Sequence, residues 1–268
     1  MLLWKKFTNI IVNALMNNLL IVSTVIHYCW GEQIWAYGPY AREIEIWADM
    51  FPQITIASPM RIQEPPGDSI PFIHKNISIA PQPEHGGDDL QAKLESIIAL
   101  PRMITTLIKA MRKADAIHVR CPGNFALLGV LLAPLFSKYR VAKYAGQWNG
   151  YPGEPVSVRL QRILLKSKWW NSPVTVYGHW PNQPAHVKPF FTSVLNDDHM
   201  KLARKSSAEN HRHNPLRILF VGRLSSSKNV DILIDALKIL QDDGFNCECR
   251  IIGDGPELSN LLRRAKEN

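Results

Sequence analysis

Apolar runs of strand length alternate along the chain with longer stretches whose apolar residues recur every three or four positions. "LLIVSTVI" (19–26) reads as a buried strand, and Tyr40, Ile44, Trp47 and Phe51 mark a helix over 39–51. "QITIAS" (53–58) is the next strand, with Pro59 expected to close it. "NISIA" (76–80) is a short strand between two loops, the Pro/Gly-rich stretch 63–71 and "PQPEHGGDD". Residues 90–113 carry Leu94, Ile97, Ile98, Ile104, Leu107, Ile108 and Met111 at helical period, with a break or kink expected near Pro101. A strand "ADAIHV", a helix over 124–136, a strand "RVAKYAG", a helix over 156–170 and a strand "VTVYG" follow in order.

This alternation, with strands apolar on both faces, predicts an α/β fold built on a doubly wound parallel sheet. The polar stretch from Asn196 to Asn214 interrupts it as a linker or connecting helix. The pattern then restarts with a strand over 216–221, a helix over 229–241, a strand over 247–252 and a helix over 257–266. Val230, Leu233, Ile234, Leu237 and Leu240 share one face of the first of these helices. The expected organisation is an extension over 1–18, a Rossmann-like domain over 19–195, a linker over 196–215, and the start of a second Rossmann-like domain over 216–268.

Hydrophobic residues make up 46% of the 268 and charged residues 20%, an ordinary globular composition that excludes disorder. The formal charge of +8 favours anionic partners. Residues 138–170 hold Lys138, Arg140, Lys143, Arg159, Arg162, Lys166 and Lys168 against one acid, Glu154. Two readings stay open for this stretch: a solvated basic face, or a patch for a membrane surface or anionic substrate. The amino end is apolar behind Lys5 and Lys6, which raises a signal peptide or anchor. Asn13, Asn17 and Asn18 interrupt it, and an extension fits better. Cys29, Cys121, Cys247 and Cys249 form no CxxC pair or metal-like cluster, which points to a reducing compartment.

The chemistry concentrates in "LRILFVGRLSSSKNV" (216–230). Gly222 and Arg223 stand at a strand's carboxyl end, and Lys228 stands just before a helix N-terminus, where free N–H groups already favour an anion. Arg223 offers a bidentate fork and Lys228 a mobile point charge. Ser225, Ser226 and Ser227 are candidate caps or phosphate donors. The geometry suits a diphosphate. Charge and spacing alone favour an ordinary basic loop, since any βα loop can carry two cations.

"ILFVGRLSSSKNVDILIDALKIL...CECRIIGDGPE" resembles the opening of the C-terminal domain of GT-B glycosyltransferases, specifically the retaining family 4 group. There a strand-Gly-Arg-loop-Lys-helix unit holds the diphosphate of a nucleotide-sugar donor, and a Gly-Asp-Gly-Pro turn follows the next strand. Gly222, Arg223 and Lys228, then Gly253, Asp254, Gly255 and Pro256, stand in that order. The resemblance implies a GT-B-like fold, a cleft between two Rossmann-like domains, and transfer of a sugar to a polysaccharide or lipid-linked acceptor with no metal. It also implies a glycine loop beside the donor phosphates, for which Gly38 is the candidate, without the family's usual double glycine.

A family histidine near a middle strand's end corresponds to "AIHVRCPGN". His118 is a candidate there, also open to the plainer reading of a satisfied strand histidine, and Arg120 is the better candidate for an anionic ligand. Gln147 and Trp148 in "KYAGQW" are acceptor-side candidates, with a structural loop as the alternative. The family's Glu-x7-Glu element has no counterpart after Glu257, so the sequence is expected to be a fragment or truncated product. The rival reading is a non-catalytic truncated paralogue that binds a partner or a membrane surface through its basic domain. Nucleic acid is not an expected partner, since no RRM, KH, HTH or zinc motif occurs. The expected location is cytoplasmic, at or near the inner membrane face.

Overall fold

In the computed structural model the residues described are 16–84, 90–191, 197–208 and 215–267. The extension expected over 1–18 lies outside them up to residue 15, as do residues 196 and 209–214 of the expected linker and the end of the "PQPEHGGDD" loop. The chain forms two compact units, 1–194 and 195–268.

Unit 1 is built on a mostly parallel sheet. Its first strand, β1 (Asn18–Val22), is flanked by β4 (Gln53–Arg61) and β7 (Ala116–Cys121). β6 (Ile77–Gln82) continues outward from β4, while β8 (Tyr139–Tyr144), β9 (Val174–Val176) and β10 (Val187–Pro189) continue outward from β7. All of these pairs are parallel, and the chain reverses its direction of travel between β1 and β7. That reversal makes a switch point, where such sheets open a crevice beyond their strand ends.

β1 shows why the strands read as continuous apolar runs. Leu19 and Ile21 enter one core with Tyr40, Ile44 and Trp47 of α1 (Gly38–Ala48). Leu20 and Val22 enter the other core, with Leu107 of α2 (Leu90–Met111), Val130 of α3 (Asn124–Phe136) and Leu165 of α4 (Val156–Lys166). From Leu19 to Val22 every side chain is buried, so periodicity of two is lost and only the run remains.

Several expectations are corrected. The strand expected over 19–26 stops at Val22, because Ser23 Oγ accepts from the Val25 amide at 3.2 Å and turns the chain aside. It then forms an antiparallel hairpin, β2 (His27–Trp30) and β3 (Gln33–Tyr37), closed by Gly31 and Glu32 at φ 57° and 61°. Two consecutive left-handed residues make the turn whose twist suits a two-residue hairpin. A third strand, β5 (Ser69–Pro71), pairs with β3 inside the expected loop.

Pro59 does not close β4. It falls where the strand leaves β1, whose last partner is Ala57, and before it meets β2 at Met60, so its missing N–H costs no bond on that side. Helix α2 runs unbroken through Pro101, held to the sheet by buried Met103, Leu107 and Met111. Ile98, expected on its apolar stripe, is exposed, and the side chains of 90–97 are outside those described. Among the described residues no helix is long and apolar enough to cross a membrane.

Unit 2 begins with α5 (Asp197–Ala208), which buries no residue, so the polar stretch is helical on its own account. The parallel pair β11 (Leu216–Val221) and β12 (Cys247–Ile252) follows, with α6 (Val230–Asp242) and α7 (Leu258–Glu267) after each strand. Leu224, Val230, Ile234 and Leu261 form its small core, with Phe220 and Ile251 against it. On the opposite sheet face Leu219, Val221 and Ile252 are exposed.

Candidate functional site

In unit 2 the loops after β11 and β12 are locked together. The Gly222 amide donates to Ile252 O at 3.0 Å, Leu224 N to Asp254 O at 2.8 Å, and Glu257 N to Leu224 O at 3.1 Å. A Cβ on Gly253 would stand 1.9 Å from Gly222 O, and one on Gly255 2.2 Å from Leu224 O. The Gly-Asp-Gly turn is therefore a buttress: its glycines let one loop press on the backbone of the other. Gly253→Ala is expected to cost unit 2 about 1–3 kcal/mol as its backbone is forced apart. Faster amide hydrogen exchange in β11 and β12, with exchange in β1 and β7 unchanged, would report it.

Leu224 is the residue that reading the loop as polar missed. It is 2% exposed amid an otherwise hydrophilic run, and it anchors the loop to the core. The signal was present, since a lone leucine between Arg223 and three serines has no reason to be there unless it is buried. With the loop anchored, Arg223 and Lys228 are both exposed, and among the described residues neither makes an ion pair. Lys228 ends the short 3₁₀ turn Ser226–Lys228 directly before α6.

The serines do not cap α6. Ser225 and Ser227 hydroxyls meet each other at 3.0 Å, and the capping position belongs to Asn229, in a left-handed conformation and without a side-chain cap bond. The helix's first N–H groups are thus free of side-chain caps, although Asp231 in the first turn already supplies one negative charge to that end.

In unit 1 the carboxyl ends of β7 and β8 carry a charged cluster. Arg120 and Lys143 are register partners, so their side chains project from the same sheet face. Both reach Glu43 of α1. Arg120 Nη1 donates to Glu43 Oε1 at 2.7 Å and Nη2 to Oε2 at 3.2 Å, while Lys143 Nζ donates to Oε2 at 2.7 Å. The Arg120 guanidinium also lies over the Tyr40 ring, 4.7 Å from its centre. Burial pushes the Glu43 carboxyl up, but the Arg120 and Lys143 charges outweigh it and hold its pKa down to about 2. Arg120, expected to await an anionic ligand, is thus committed to an internal carboxylate. Sequence reading missed Glu43, although an acid between Tyr40 and Trp47 on a buried helical face announces a partner.

His118 sits two residues inward on the same face of β7, 2% exposed and 5.1 Å from the Trp47 ring. Burial, then repulsion by Arg120, pushes its pKa down to about 3, so it is a neutral interior group at physiological pH. Its Nδ1 is buried and among the described residues has no hydrogen-bond partner, so the satisfied-histidine reading also fails at that atom. Cys121, on the opposite face of β7, is buried, and burial pushes its thiol up, away from the reactive thiolate.

Two further candidates are corrected. Trp148 is fully buried: its Nε1 donates to Gln183 Oε1 at 2.9 Å and its ring meets Tyr144 edge-on, so it presents nothing to an acceptor. Gln147 beside it is exposed. Gly38 follows β3 rather than the first strand, and its amide donates to Asp68 O at 2.9 Å, leaving none for a phosphate. A Cβ there would come 3.2 Å from that same oxygen, so close packing accounts for the glycine. Among the described residues no group of three His, Cys, Asp or Glu side chains is placed to hold a metal ion.

The family model described as Glycosyl transferases group 1 matches residues 203–268, which contain this loop and its buttress. No curated protein matches the chain.

Proposed function

We propose that the protein takes part in glycosyl transfer, moving a sugar from a nucleotide-diphosphate donor to a polysaccharide or lipid-linked acceptor. What supports this is an exposed Arg223–Lys228 loop, without an ion pair among the described residues and clamped from behind by Gly253 and Gly255, inside the segment that matches the glycosyltransferase model. In this reading Arg223 grips diphosphate oxygens through paired N–H donors, and Lys228 adds charge at the helix entrance. Both neutralise the charge that grows on the departing nucleoside diphosphate, an electrostatic contribution made in the transition state. Retention at the anomeric carbon is part of the proposal, with a donor phosphate oxygen accepting the acceptor's proton.

Isothermal titration with UDP- and GDP-sugars tests it. Arg223→Ala and Lys228→Ala are each expected to weaken binding about tenfold or more, as loss of a charge-assisted contact of roughly 1.5–3 kcal/mol implies. Equal affinity in wild type and both variants would remove the assignment. A second reading, a binding module without catalysis, is favoured by the commitment of Arg120 to Glu43 and the burial of Trp148. Release of nucleoside diphosphate from a bound donor separates the two: the binding module binds and releases nothing.

A further inference from the structure

Helix α4 buries Leu165 in the core, with Val158 and Leu164 against it, yet also turns a second apolar stripe outward. An ordinary surface helix buries its apolar stripe and exposes its charges. Here Gln161 is wholly buried, its Nε2 donating to Gly123 O at 2.9 Å, and Arg162 is buried against Glu154 at 2.7 Å. Outward, Val156 is 82% exposed, Leu160 39% and Ile163 54%. Spacings of four and three place these three on one stripe. Trp169, just past the helix, is also exposed and is tethered by its Nε1 to Val130 O at 3.2 Å.

The exposed charge of the 138–170 run that carries this stripe is of one sign. The basic run 138–170 turns some of its cations inward: Lys143 to Glu43, Arg162 to Glu154, and Arg140 to the carbonyls of Trp170 and Ser137. Glu154, the run's one acid, is consumed by Arg162 with its side chain 7% exposed. Arg159 and Lys168 remain at the surface, Arg159 within the apolar stripe itself.

We propose that this face of α4 binds the surface of an anionic lipid bilayer, with Leu160, Ile163 and Trp169 entering the headgroup layer. A polar protein partner would leave the apolar stripe unmatched, and an apolar one would leave the cations without counter-charge. A bilayer rich in anionic lipid satisfies both at once. The proposal goes beyond donor binding and stands without it.

The test is co-sedimentation of the full chain with phosphatidylcholine vesicles, with and without phosphatidylglycerol. Binding is expected only where phosphatidylglycerol is present, and it weakens with salt. Each surface cation strengthens partitioning by about fivefold, so Arg159→Glu with Lys168→Glu should lower it more than tenfold. Leu160→Ser with Ile163→Ser should lower it at unchanged charge. Arg263→Glu with Lys266→Glu, an equal charge change in unit 2, should leave it as in wild type. All these side chains except Lys168 lie on helix surfaces, and thermal melts check that each variant folds. Absence of wild-type binding would overturn the proposal. So would a serine variant that binds normally, or one that loses only self-association in sedimentation velocity.

Discussion

Glu43→Gln is expected to lower the unfolding free energy by about 3–5 kcal/mol at neutral pH, the usual cost of removing one member of a buried ionic cluster. The side chains of Arg120 and Lys143 are only 15% and 6% exposed, and Glu43 is the carboxylate that both contact. Glutamine keeps the volume and removes the charge, leaving two cations in a poorly solvated place. Lys143→Met added to Glu43→Gln should recover part of the loss by deleting one of them. Urea unfolding followed by tryptophan fluorescence reads the effect, since Trp47 lies on the same helix as Glu43. A change below about 1 kcal/mol would mean that the cations swing out to water and that the cluster contributes little.

The second large effect is a loss of stability in acid governed by histidines rather than carboxylates. His118 titrates near 6.5 when unfolded and is pushed to about 3 in the fold; His27 is pushed to about 4, again by burial. His27 Nδ1 lies 3.0 Å from Val25 O and 2.8 Å from Ser58 Oγ, and among the described residues its buried Nε2 has no hydrogen-bond partner. In the interval below 6.5 the unfolded chain takes up protons that the folded chain refuses, so falling pH favours unfolding. For His118 the shift corresponds to something on the order of 5 kcal/mol by the bottom of its window.

Glu43 adds a separate, lower window. Its contribution is complete above its ordinary value of 4.5 and disappears as pH falls towards about 2. His118→Leu, close in volume, should change stability at pH 7 by less than about 1.5 kcal/mol. It should also move the acid unfolding midpoint downward and flatten the stability curve between pH 6.5 and 3. An unchanged midpoint would show that His118 is solvated before it protonates.

The parts that were legible in the sequence are those whose physics is local. The strands over 216–221 and 247–252 have the expected bounds because a largely apolar run in the first and an alternating one in the second are each closed by a glycine at the carboxyl end. The hairpin from His27 to Tyr37 was hidden because Glu32, with no glycine's freedom, takes the second left-handed position of its turn. The Arg120–Lys143 pairing was hidden for another reason. It depends on the register of two strands separated by a helix, and nothing local encodes that register. Trp148 misled because an aromatic next to a carboxyl-end loop looks the same in sequence whether it faces solvent or the core, and the deciding contact is Gln183, far along the chain.

The loop after β11 divides its labour in a way that bears on how such a protein can diverge. Its form depends on Leu224, Gly253 and Gly255, which face inward. Its charge depends on Arg223 and Lys228, which are exposed. Descendants can therefore exchange the outward residues, and with them the charge the loop presents, without disturbing the scaffold that holds it. Drift in surface charge is cheap here, and drift in architecture is not.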